Sequence, residues 1–224
     1  MVADRKTDAA SPRRGRLPAA EREARQRAVL DAALETLIAD GVDRMTMLAV
    51  AKRAGASKET LYSWFGSREG LLRALIERNA DASAERVRAA LDPADDDRGW
   101  TDPVETLVGY ATGLLRLLTS PPSIALNRAA MGDAELAAAL LAGGRHRVGP
   151  LVERYLTDQA EAGRLDLAIE PAAAFELLYG LVVQDTQIRV LLGEEPPPPG
   201  ELERRATTAV TRFLRLAADA EPTP

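Results

Sequence analysis

The sequence has no cysteine and a single histidine, His146. The first absence excludes disulfides and thiolate metal sites, and the two together exclude a multi-histidine zinc or iron centre. Aromatic residues are only 4% of the chain, so a core must be assembled mainly from Ala, Leu and Val. Few prolines interrupt the apolar segments, and that mixture favours packed helices over a sheet, so we read the chain as all-α. Long hydrophobic runs are missing too. Stretches such as Phe175 to Val183 are far too short to span a bilayer, so no membrane partner is expected. The basic N-terminus has no hydrophobic segment behind it, so a secretory signal is not expected and a cytoplasmic location is. There is no G-x-S-x-G turn, no phosphate-cradling glycine loop and no nucleophile–base pair built on Cys and His. Catalysis, a cofactor and a bound metal are therefore not expected.

What is present is ordinary globular composition, 46% hydrophobic and 28% charged, with a net charge of −5. The charge is unevenly placed. Residues 1–70 carry 13 Lys/Arg against 10 Asp/Glu, and the remainder carries 16 against 24. A basic first third on an acidic body suits a nucleic-acid-facing domain joined to one that is not.

Residues 1–20, with Arg13, Arg14, Gly15, Arg16 and Pro18, lack apolar periodicity and read as a flexible basic arm. Helical periodicity begins at about Glu21 and runs to Asp40, stopped by Gly41. Thr46 then caps a helix from Met47 to Ala54, with Met47, Val50, Ala51 and Ala54 on one face, and Gly55 ends it. Ser57 caps a third helix, Lys58 to Phe65, and Gly66-Ser67 restarts the chain into a long fourth. A polar, turn-rich segment from Asp92 to Gly99 marks a loop. Further helices are expected at about Pro103–Leu118, Asn127–Leu141, Arg145–Ala162, Pro171–Leu192 and Glu201–Ala217. The run Pro196 to Pro199 forms an extended spacer before the last of these. The expected organisation is an arm (1–20), a DNA-binding domain (21–70), a ligand-binding and dimerisation domain (71–218) and a tail (219–224).

The segment Thr46 to Leu72, TMLAVAKRAGASKETLYSWFGSREGLL, carries the functional signal. Two short helices joined by a tight turn are the minimum device for laying one helix in a major groove. Ala51 is small enough for close approach, Gly55 can adopt the positive φ of a sharp turn, and Leu61 points back into the core. The outward face of the third helix then presents Ser57, Lys58, Thr60, Tyr62 and Trp64, groups that reach phosphates and base edges. Helix N-termini at Thr46, Ser57 and Ser67 add backbone N–H groups suited to phosphates.

Thr46, Ala54-Gly55, Ser57, Leu61-Tyr62, Phe65 and Ser67-Arg68, in that order, closely resemble the DNA-binding domain of TetR-family transcriptional regulators, over about Gln26 to Ala80. The resemblance implies an N-terminal three-helix helix-turn-helix domain followed by a C-terminal helical bundle. It implies that Thr46 and Tyr62 hold the DNA backbone, that Arg68 meets a phosphate, and that Lys58, Glu59 and Thr60 lie where bases are read. Phe65 would be core. The sequence departs from the family pattern at Leu48, often polar, at Trp64, usually His or Tyr, and at Gly70, where a capping glutamate would help. The C-terminal region resembles the AefR-like subgroup more loosely, around Glu161-Ala162-Gly163-Arg164-Leu165.

In that region Pro171–Leu192 is apolar nearly all round, and the last helix offers a stripe of Leu202, Ala206, Ala209, Val210, Phe213 and Ala217. These two helices are expected to pack with their copies in a homodimer, as a four-helix bundle on a palindromic double-stranded operator. Polar or aromatic residues on otherwise apolar helices are the candidates for a pocket holding a small amphipathic or aromatic effector. They are Tyr110, Leu114, Arg128, Tyr155, Tyr179 and Gln184, with Trp100 and Gln187 as lesser candidates. His146, between Arg145 and Arg147, reads as exposed. The expected activity is repression released by that effector. A helix-turn-helix used only to bind protein would instead tolerate loss of Tyr62 or Lys58 and lack the steep salt dependence of phosphate contacts.

Overall fold

The computed structural model describes residues 19–91 and 102–219. The basic arm up to Pro18, the Asp92–Gly99 loop, Trp100 and the end of the tail lie outside the described residues. Within them the chain is helical, with eleven α-helices and no strand: α1 (Ala19–Asp40), α2 (Met47–Ala54), α3 (Lys58–Phe65), α4 (Arg68–Leu91), α5 (Pro103–Leu118), α6 (Pro121–Ala130), α7 (Ala134–Gly143), α8 (Arg145–Glu161), α9 (Pro171–Val183), α10 (Thr186–Leu191) and α11 (Pro199–Ala218).

Short side chains set the ends of the first helices. The Thr46 hydroxyl accepts the Ala49 N–H at 3.1 Å and opens α2. Gly55 closes it at φ 61°, letting the Ala56 N–H reach the Ala51 carbonyl and the Gly55 N–H reach Lys52. That is a Schellman stop, and a left-handed residue is what it requires. The Ser57 hydroxyl accepts from Thr60 at 3.2 Å and opens α3, and Ser67 accepts from Gly70 at 3.1 Å and opens α4.

Two hydrophobic clusters result. One gathers Val29, Leu37, Met45, Val50, Leu61 and the first turns of α4, and extends to Leu126 on α6 and Leu136 on α7. The other is built on α5, α8, α9 and α11 around Tyr155, Phe175, Leu178 and Phe213, and includes Leu91 at the far end of α4. The first cluster therefore does not stop at residue 70, the sequence-derived boundary, because α6 and α7 complete it. Ion pairs Arg78–Asp31 at 2.7 Å, Arg73–Glu135 at 2.7 Å and Arg147–Asp81 at 2.6 Å tie α4 to α1, α7 and α8.

Three expectations change. The helix expected over Asn127–Leu141 is two helices: Ser120-Pro121 opens α6, and the Asp133 carboxylate caps α7 on the N–H groups of Glu135 and Leu136. The helix expected over Pro171–Leu192 breaks after Val183, where Gln184 adopts φ 45° and ψ −128°. The apolar stripe of α11 is consumed inside the chain, packed against α5 and α9, so it is not a free face for a second copy. Polar and basic residues, Arg204, Thr208 and Arg212 among them, face outward on that helix.

Gly70 turns out to have a steric reason that outweighs its missing cap. A Cβ there would lie 2.0 Å from the Phe65 carbonyl oxygen. In an ordinary helix Gly→Ala stabilises by about 1 kcal/mol, yet Gly70→Ala should destabilise by about 2 kcal/mol through overpacking against backbone. Chemical denaturation reads the sign directly, and a gain in stability would show that the close approach is absent. Gln184 makes the opposite case. Its backbone lies where only glycine is unstrained, so Gln184→Gly should raise stability by about 1 kcal/mol despite losing an exposed side-chain bond to the Leu181 carbonyl. A fall in the unfolding midpoint would contradict it.

Candidate nucleic-acid interface and effector cavity

The α2–α3 pair presents its polar residues outward because Val50, Ala51 and Leu61 are buried beneath it. Ser57, Lys58 and Glu59 are exposed and Thr60 half-buried at the open end of α3, and Tyr62 is 45% exposed one turn on. The Lys58 ammonium sits 5.5 Å from the Tyr62 ring centroid, a cation–π contact that brings the two onto one surface. The Ser57 and Thr60 hydroxyls lie 3.0 Å apart. A backbone hydrogen bond at the start of α3, helped by Ser57 and the Lys58 charge, holds the Glu59 carboxyl below the usual carboxylate range. Glu59 is thus an acceptor only, suited to a base amino group and not to a phosphate. Thr46 is exposed beside this face, and Leu48 is a bare apolar side chain, 65% exposed.

Two residues of the expected DNA-contacting set are also engaged within the fold. Trp64 is half-buried, packed on the first cluster and edge-on to Phe65 with centroids 6.4 Å apart. Phe65 joins the same cluster at its rim, partly buried. The Arg68 guanidinium donates from Nε to the Met45 carbonyl at 2.9 Å and from Nη2 to the Val42 carbonyl. It braces the α1–α2 connection onto α4 with two of its five N–H donors.

Behind this unit, α4 to α10 enclose a cavity of about 390 Å³, at the small end of the range for organic ligands. From α4 it is lined by Asn79, Ser83 and Val87, and from α5 by Tyr110, Leu114 and Leu117. Arg145 and Val148 on α8, with Phe175 and Tyr179 on α9, close another side, and Gln187 reaches it from α10. Of the expected ligand-contacting residues, Tyr110, Leu114, Tyr179 and Gln187 thus line one cavity. Arg128, Tyr155 and Gln184 do not. Arg128 donates to the Val190 and Leu191 carbonyls at 3.0–3.2 Å and caps the end of α10. Tyr155 is core between α5 and α8, its phenol raised by burial and bonded to Thr106. Gln184 faces a surface hollow between α9 and α11, with Arg205 and Arg212. His146 is exposed.

Arg145 is the residue that sequence reasoning missed. Its guanidinium lies 4.3 Å from the Tyr179 ring centroid and 5.7 Å from that of Phe175, and it pairs with Glu176. The signal was available: Arg145 starts the stripe Val148, Val152, Tyr155 that buries α8, so it shares their side of the helix. Burial pushes the Tyr179 phenol up, and the Arg145 cation works against that. Burial raises the Tyr110 phenol further still. Among the described residues, no group of His, Asp and Glu could hold a metal ion, and no helix is long and apolar enough to cross a membrane.

Residues 29–75 match the model of bacterial regulatory proteins of the tetR family, and residues 105–216 match that of the AefR-like transcriptional repressor C-terminal domain. The chain is 39% identical over 79 residues to the HTH-type transcriptional regulator AlkX of Mycobacterium tuberculosis, covering 34% of this chain and 37% of that protein. It is 38% identical over 94 residues to the HTH-type transcriptional activator FasR of Mycolicibacterium smegmatis, covering 42% of each. These matches thus span less than half the length of the curated relatives. Over most of the chain it is similar to a solved TetR transcriptional regulator from Agrobacterium tumefaciens, with 35% identity, a TM-score of 0.70, and coverage of 86% of this chain and 94% of that one. Helix-turn-helix, C-terminal bundle and whole-chain likeness agree: the chain belongs to the TetR family of DNA-binding transcriptional regulators, which are not enzymes.

Proposed function

We propose that the protein is a homodimeric, sequence-specific repressor that occupies a palindromic operator and leaves it when a small amphipathic molecule fills the cavity. The observation that carries the specific binding is the exposed face of α3, where Lys58, Glu59 and Thr60 precede the outward ring of Tyr62. In this reading α3 lies in the major groove with Lys58, Glu59 and Thr60 at base edges, while Thr46, Ser57 and Tyr62 hold phosphates on either side. Trp64 and Arg68 serve by stiffening the unit.

The two recognition helices must lie about one helical turn of DNA apart, which needs a second copy. With the α11 stripe spent inside the chain, the face available for pairing is the outer side of α9, where Ala173 and Gly180 are exposed and Leu177 and Leu181 half-buried. Small residues there permit close helix crossing, and the outer edge of α11 with Thr208 and Arg212 borders it. The link between cavity and DNA is α4. Its first turns are core to the DNA-facing unit and its middle turns wall the cavity. Ligand binding shifts such a system only as far as its affinity differs between the two arrangements.

Selection of bound sequences from random and genomic fragments tests this reading. The full-length protein should enrich a palindrome, and Tyr62→Ala and Lys58→Ala should each lose at least tenfold in affinity for it. If Lys58 also neutralises a phosphate, its removal lowers the slope of log affinity against log salt by about 1. Failure to enrich any motif across a range of salt concentrations would sink the sequence-specific reading. In a reporter carrying the recovered site, expression below that of a protein-free control fixes the sign as repression, and expression above it reverses that sign.

A further inference from the structure

One hydroxyl in the cavity wall adds no hydrogen bond to the fold. Tyr110 is 3% exposed, and among the described residues its phenolic oxygen has no hydrogen-bond partner. A buried O–H without an acceptor is a cost that a phenylalanine of the same shape would not carry. Among the described residues that line it, the wall is also one-sided in charge: Arg86 and Arg145 are among them and no Asp or Glu is. Glu176, which pairs with Arg145, is exposed and stands outside the wall. A guanidinium has five N–H donors, so the pair with Glu176 leaves Arg145 with donors to spare. Most of the remaining surface is apolar, with Val87, Leu114, Leu117, Val148 and Phe175 around the space.

Resting on the effector-release reading above, we infer that the cavity takes an amphipathic organic acid, whose carboxylate accepts the Tyr110 O–H and faces the Arg145 guanidinium while its apolar body lies between α4 and α5. A neutral acceptor would satisfy Tyr110 but draw nothing from the positive charge of Arg145, which a carboxylate meets with a charge-assisted hydrogen bond. An ammonium head would be repelled by them and would offer Tyr110 no acceptor. The apolar body draws on the hydrophobic wall whichever head is attached, so the head decides the order of affinity. Gly109 and Gly113, exposed on the α5 edge of the cavity with open space where their Cβ atoms would be, leave the approach clear.

The test is calorimetric titration of the full-length, DNA-free protein with octanoate, 1-octanol and octylamine, which share a chain length and differ in the head. Octanoate should bind at least tenfold more tightly than octanol, and octylamine should not bind. Tyr110→Phe and Arg145→Met should each weaken octanoate about tenfold, and Arg145→Met should also erase the preference over octanol. Arg145→Lys, which keeps the charge, should retain that preference. Tyr110→Phe should at the same time raise the ligand-free melting midpoint, because it removes an unpaired buried hydroxyl; a hydroxyl hydrogen-bonded within the fold would make it fall. Octanol equal to octanoate, unchanged octanoate affinity in the variants, or no binding of octanoate overturns the assignment. Operator binding by the wild type is followed separately by fluorescence anisotropy. Octanoate bound with the expected preference but without DNA release leaves the acid site standing and removes the effector-release reading.

Discussion

One helix has to satisfy two cores. The 24 residues of α4 place Leu71, Leu72, Leu75 and Ile76 in the cluster under the DNA-facing helices and Leu91 in the cluster of the larger bundle. Between those ends the helix is buried by small residues, Ala80, Ser83 and Ala84, and this stretch is where the cavity opens beside it. Had large apolar residues continued through the middle, α4 would have sealed against α5 and α8 and left no room for a ligand. The small middle turns and the greasy ends are one compromise: a rigid member anchored at both ends with a gap at its waist.

At the DNA end the anchoring is done with directional contacts. Caps at Thr46, Ser57 and Ser67, the left-handed glycine at 55, and the Arg68 fork on the Met45 and Val42 carbonyls define α2 and α3 relative to α4 with little freedom. Such contacts depend on angle as well as distance, whereas the hydrophobic contacts below them do not. They therefore determine which side chains of α3 face outward. The exposed Lys58–Tyr62 contact is the product of that framework.

This division explains which parts were legible in the sequence. The bounds of α2 and α3 follow from Thr, Ser and Gly at capping positions, which act locally and leave a local signature. The break at Met131–Asp133 was overlooked because apolar residues continue on both sides of it, although Gly132 and the carboxylate of Asp133 mark a stop and a new start. The break at Gln184 has no sequence mark, since a non-glycine residue at positive φ is held there by its surroundings. The cavity was legible only in part. Tyr110 and Tyr179 stood out as polar or aromatic residues on apolar helices, but Tyr155 and Arg128 share that description and are consumed by Thr106 and by the end of α10. What separates them is the availability of a partner, which is a property of the packed chain. Arg145 was masked by its basic neighbours, although its place on the buried stripe of α8 was there to be read.

The stiffness of the DNA-facing unit also limits how a ligand can act. Because α1, α2, α3 and the first turns of α4 share one core and one set of caps, a molecule bound beyond Ile76 cannot reshape the face of α3 without breaking them. It can only change where the unit sits, through the stretch of α4 from Asn79 to Ala90 that walls the cavity. The exposed ion pairs at Asp31, Glu135 and Asp81 are the contacts that such a movement would strain first, and each is weak enough, at about 0–1 kcal/mol, to yield. In a dimer the operator reads two such units at a set distance. In the proposed release no base-reading residue has to change: a change of separation is enough, and α4 is the element placed to set it.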